Sequence, residues 1–177
     1  MANVQRVLQD YFPHRSYPVK ASVNDIQVGH LTLWNSIFQG NTSQDTIQTA
    51  SQGSAGSSTA DARVQFATLF AGVAKQRHDQ NSYDKVNFAV SVDCEAEFII
   101  ANSSGVDTAA TADFDPGTKV GVAVDANSKP ISDRVVVEGH GSVTTIASTE
   151  VIGKLSRQIK NGDKTARIHL RGIHVYD

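Results

Sequence analysis

The chain has 177 residues and a mass of 19.0 kDa, 40% of them hydrophobic and 19% charged, which is enough apolar material for one well-filled core. A net charge of -2 and a pI near 6.3 provide no basic field to condense on a phosphate backbone or an anionic bilayer, so neither nucleic acid nor membrane is an expected partner. The one cysteine, Cys94, excludes an intrachain disulfide and any thiolate zinc or iron–sulfur centre.

The first residues, MANVQRVLQDYFPHRSY, lack a basic segment followed by an apolar run, and no apolar stretch is long enough to span a bilayer. A cytoplasm-like compartment is expected, unless the protein leaves it inside a larger particle. Val4, Val7, Leu8, Tyr11 and Phe12 have the spacing of one helical face, so residues 1–18 are expected to form a helical arm ended by Pro13 and Pro18. Such a short helix needs a surface to dock on.

From Val19 to Trp34 the pattern alternates, with breaks at Asn24-Asp25 and Gly29-His30, and predicts two or three short strands. Residues 39–62 are nearly all small and polar and are expected to be a long flexible loop, or one ordered only against a partner. Val64 to Ala74 is apolar; length allows a helix, but Gly72 and the polar run after it favour a strand leading into an exposed hairpin loop. Val86 to Val92 alternate strictly and run on into Glu95 to Ile100, predicting the clearest strand of the chain. Turns at Asp115-Pro116-Gly117 and Asp125 to Pro130 flank a strand over Lys119 to Val124. Short strands at Val135 to Val137 and Val143 to Ile146 follow, separated by Glu138-Gly139-His140-Gly141. Val151 to Ile159 then leads through Asn161-Gly162 into an alternating strand with Ala166, Ile168 and Leu170 on one face and Arg167, His169 and Arg171 on the other. The expected class is all-β: a β-barrel or jelly-roll-like sandwich, with residues 19–177 as one domain.

No chemical constellation has the spacing its chemistry requires. Of the six histidines, His14, His30, His78, His140, His169 and His174, none lies in a metal-ligating motif, and each reads as a surface or rim residue. Glu138, His140 and Ser142 sit close in sequence, but the glycines are misplaced for a nucleophile elbow. Asp93, Glu95 and Glu97 share one strand face, the usual state of a solvated face, while Cys94 points to the opposite, core side. Phosphate-cradling glycine loops are missing. The expectation is a protein without catalytic residues, metal or cofactor. A late basic cluster, Lys154, Arg157, Lys160, Lys164, Arg167 and Arg171, has no interleaved aromatics to stack on bases and suits an acidic protein surface.

Two stretches share a grammar. Leu69 to Ala74, a loop, and Val86 to Val90 form one copy; Val151 to Leu155, a loop, and Ala166 to Leu170 form the other, each with a central glycine in its first strand. Together with Val28 to Trp34 and Thr118 to Val124, this order resembles the head decoration, or cement, proteins of tailed bacteriophages over about two-thirds of the chain. The resemblance implies a β-barrel or jelly-roll-like body, often trimeric, on the outer face of a capsid, with the major capsid protein as partner and the virion as location. Val4, Val7, Leu8, Tyr11, Phe12, Arg157, Lys160, Arg167 and Arg171 are then the candidate capsid or oligomer contacts. The alternative is another phage β-module, a tail-tube, head-completion or glycan-binding protein, with Tyr17, Trp34 and Tyr83 as candidate sugar contacts.

Overall fold

The computed structural model describes residues 6–11, 15–17, 19, 25–35, 46–49, 57–79, 88–91 and 93–171. In chain order these form β1 (Arg6–Asp10), β2 (Arg15–Tyr17), β3 (Leu31–Asn35), β4 (Thr46–Thr49), α1 (Thr59–Leu69), β5 (Phe70–Ala74), β6 (Phe88–Ser91), β7 (Asp93–Ile100), β8 (Lys119–Val124), β9 (Pro130–Val137), β10 (Gly153–Leu155) and β11 (Thr165–Arg171). The expected all-β barrel class is what the chain adopts. Strands β7-β11-β10-β8-β9 follow one another around a ring, and β9 closes it by pairing parallel with β7 through Ile99↔Arg134 and Ile100↔Val135. Closure removes the unpaired edges of an open sheet. A second sheet, ordered β2-β6-β5-β3-β4, is antiparallel throughout.

The N-terminal helix is not formed. Arg6–Asp10 is a strand, antiparallel to β7 on the same edge that β9 uses further along, with a bulge at Leu8. Val4 and Phe12 lie outside the described residues. Backbone pairing with β7 gives a short segment the partner that a lone helix of that length lacks.

The expected loop over residues 39–62 also contains order: β4 pairs with β3, and α1 starts at Thr59. Ser58 caps α1, its Oγ accepting from Asp61 N at 3.1 Å, and the Asp61 carboxylate lies in the first turn, where the helix dipole favours negative charge. Val64 to Ala74 is therefore the last part of a helix followed directly by a strand, not one strand into a hairpin. The long run from Val86 to Ile100 is likewise two strands: β6 belongs to the second sheet and β7 to the barrel. Val90, Cys94, Ala96, Phe98 and Ile100 are buried with the same parity, so the crossing between sheets leaves no mark on the alternation.

One cluster joins both sheets and the helix, packing Leu31, Leu33, Phe66, Phe70 and Val73 with Cys94, Phe98, Val122, Ile168 and Leu170. Cys94 is thus a core residue, as its strand face predicts. A second, smaller cluster lies outside the barrel wall, where Ala123 and Val136 pack with Ala101, Val143 and Ile146. Val143 to Ile146 is an irregular segment over β8 and β9, not the expected strand, because its apolar side chains are used to cover those strands' outer face. The barrel consequently has a covered side at β8 and β9. Along β7 and β11 burial alternates, leaving a less covered, open side on which His169 and Arg171 are exposed and Glu95 and Glu97 half-buried; Asp93 is buried, which corrects the expected solvated face at that end.

His30 sits where the second sheet meets the barrel. Gln27 N donates to its Nδ1 at 3.3 Å, and Ser132 Oγ of β9 is 3.5 Å from the same nitrogen. Burial pushes the imidazole below its ordinary pKa, with Asp133 pulling the other way. The unfolded chain therefore takes up this proton first as pH falls. The stability contributed by neutral His30 is full above about pH 6.5 and is lost as pH drops through the lower native pKa. Urea titrations at about pH 7.5 and 5.5 should show a smaller acid-induced loss for H30Q than for the wild-type chain. Equal losses would contradict this assignment.

Candidate functional site

The open side of the barrel is built by cross-strand register. Directly opposite one another stand Arg171↔Asp93, His169↔Glu95, Arg167↔Glu97 and Thr165↔Ile99. The side chains connect one step diagonally instead. His169 Nε2 lies 2.8 Å from Asp93 Oδ1, Arg167 Nε is 3.4 Å from Glu95 Oε1, and Thr165 Oγ1 donates to Glu97 Oε1 at 2.7 Å. Three diagonals of the same sense are what a twisted antiparallel pair brings into reach. The expected acidic face of β7 is thereby matched, residue for residue, by β11. At its end the Tyr11 ring, 47% exposed, stands 5.0 Å from the His169 ring.

The β10–β11 connection folds back over this face. Ile159 is its buried anchor at 2% exposure, exchanging two backbone hydrogen bonds with Phe114 at 2.9 and 3.0 Å. Asn161-Gly162 forms the expected turn: Asp163 N donates to Lys160 O at 3.0 Å, and Gly162 N donates to Ala110 O at 2.8 Å. Asp113 fastens the turn from below, accepting from Lys160 Nζ at 2.8 Å and from Asn161 N at 2.9 Å. These two donors, the lysine first, hold its carboxyl below the usual carboxylate range.

Between the connection and the strand pair lies a groove of about 580 Å³. Arg157, Lys160 and Arg167 line it together with Gln158, Thr165, Glu97 and Asp163 over Ile159. Three of the four basic candidates named from the sequence therefore converge. Arg171 is exposed further along β11, opposite Asp93 and outside the groove. Val7 and Leu8 belong to β1 and Tyr11 follows it, so the two ends of the chain meet on opposite edges of β7.

Other candidates disperse. His140 is buried at 1% exposure, its Nε2 3.1 Å from Ala109 O and its ring edge-on to Phe114; His78 is buried as well. Both correct the surface reading; the His140 ring supplies apolar area while its Nε2 meets a carbonyl. His169 is exposed as expected, and His14 and His174 fall outside the described residues. Glu138 Oε1 accepts from Ile146 N and meets Lys119 Nζ, whereas the Ser142 hydroxyl meets that of Ser103. Glu138, His140 and Ser142 thus turn to three separate partners. Trp34 is a core residue of β3. Among the described residues, no three His, Cys, Asp or Glu side chains group to hold a metal ion, and no helix is long and apolar enough to cross a membrane.

Sequence reasoning missed Arg63. It is buried on α1, with Nε and Nη2 meeting no acceptor among the described residues, and burial pushes its pKa down while the Glu150 carboxylate opposes the shift. No protein-family model matches the chain, and no curated protein matches it.

Proposed function

We propose that the protein is a structural virion component, a decoration protein that binds the outer face of a capsid as a homo-oligomer, expected to be a trimer, and stabilises the shell. The observation that carries this reading is the charged groove on the open side of a closed barrel, among side chains that pair with one another and converge on no reacting atom. The order of strand-forming segments along the sequence, which resembles that of phage cement proteins, supports the same reading. Binding only the assembled shell stabilises it by mass action, by about 2.7 kcal/mol per site at a free concentration a hundred times Kd. Oligomerisation adds avidity when several sites engage together.

The test is cosedimentation of purified protein with shells of the major capsid protein from the same virus, with light scattering on the free protein. Saturable occupancy at a fixed ratio to shell subunits is expected, together with an oligomer of the 19.0 kDa chain. A monodisperse monomer that leaves the shells bare would refute the proposal.

A further inference from the structure

We infer that the groove beside β11 is the docking site for an acidic, extended segment of a partner protein, read by side chains and not by strand addition. The inference rests on the binding role proposed above and names the chemistry of the partner. At about 580 Å³ the groove has the capacity of a specific ligand site. Two of its cations are already positioned by the fold, Lys160 by Asp113 and Arg167 by Glu95. Arg157 is exposed at the rim and has no ion pair among the described residues. An arriving carboxylate therefore finds one free guanidinium beside two oriented charges, with the Gln158 amide at the same wall.

The lining selects against other anions. No aromatic side chain is present for a base to stack on. The amides that would make a phosphate nest are engaged: those of Lys160 and Asn161 by the Asp163 and Asp113 carboxylates, those of Gly162 and Asp163 by carbonyls. Glu97 and Asp163 inside the groove repel the dense charge of a polyphosphate. An extended acidic segment carries a lower charge density, with same-face carboxylates about 7 Å apart on alternate residues. Strand addition is blocked along Ile168 to Leu170, where β11 is paired on one edge with β7 and on the other with β10, and the Arg167 carbonyl is already taken by Ser156 N.

The test uses the full chain and a fluorescein-labelled peptide of alternating glycine and glutamate, with its glutamine counterpart, followed by anisotropy. The glutamate peptide should bind and the glutamine peptide should not, and added salt should weaken binding. R157E should weaken it at least about tenfold, whereas K129E, an equal charge change in the exposed β8–β9 turn, should leave it within about twofold. Equal weakening by R157E and K129E would overturn the inference as diffuse attraction. Tighter binding of inorganic phosphate or a single-stranded oligonucleotide would overturn the acidic-segment assignment. If wild-type protein occupies shells but the peptide does not bind, this inference fails and the decoration reading stands; if the peptide binds at Arg157 but shells stay bare, the reverse holds.

Discussion

Replacing Phe98 with alanine is expected to destabilise the protein by about 3–5 kcal/mol. Phe98 is fully buried at the centre of β7, the strand that meets β11 on one edge and both β1 and β9 on the other. Its ring belongs to the cluster joining the barrel to the helix and the second sheet. Removing it deletes the buried area and leaves a cavity that paired strands on both edges cannot easily collapse into. Domains of this kind have about 5–15 kcal/mol in total, so F98A removes a large share of the stability. Urea denaturation should show the midpoint falling steeply and F98L lying between F98A and the wild type. A loss under about 1 kcal/mol for F98A would mean that the side chain is not in the core.

The second large effect is expected at Gly153. A Cβ placed there would clash with His169 O and lie 3.0 Å from both Ile168 Cγ2 and Leu170 Cδ2. The first contact is with backbone, so β10 must move away from β11 and the ladder Gly153↔Leu170, Lys154↔His169, Leu155↔Ile168 must loosen. G153A should lose about 1–3 kcal/mol by overpacking, and G153V more. Gly141 is the control for backbone conformation alone: its φ is +56° and an added Cβ would meet nothing within 4 Å. G141A should lose only the left-handed penalty of about 1–2 kcal/mol, with its amides elsewhere unchanged. Amide exchange separates the two, since G153A should speed exchange along β10 and β11. Equal protection of those strands in G153A and the wild type would contradict the crowding argument.

The repeated glycine grammar thus has two unrelated causes. Gly153 is required by close approach of a neighbouring strand. Gly72 has φ +143° beside a bulge at Ala71, where Thr32 Oγ1 donates to Gly72 O at 2.9 Å. A shared pattern in the sequence therefore does not imply a shared geometry.

What was legible was local. Alternation along Thr165 to Arg171 separates the buried Ala166, Ile168 and Leu170 from the charged face, and Asn161-Gly162 marks a turn that the fold uses. What was not legible depended on distant partners. Val7 and Leu8 have helical spacing over too few residues to outweigh pairing with β7. The α1 helix did carry a local signal, Ser58-Thr59-Ala60-Asp61, a cap followed three residues later by an acid. It was obscured because apolar residues run unbroken from the helix into β5. The groove could be half anticipated: Arg157, Lys160 and Arg167 were visible as a cluster, but Glu97 and Asp113 enter only when the barrel closes and the β10–β11 connection folds back.

In the proposed role, the open side of the barrel is the surface that meets a shell. An electron cryo-microscopy reconstruction of shells incubated with the protein tests it most directly. Ordered density is expected at repeated positions, with the β7 and β11 face and the β10–β11 connection against the shell and the covered β8 and β9 side facing solvent. Bare shells, or a barrel seated by its β8 and β9 side, would contradict it.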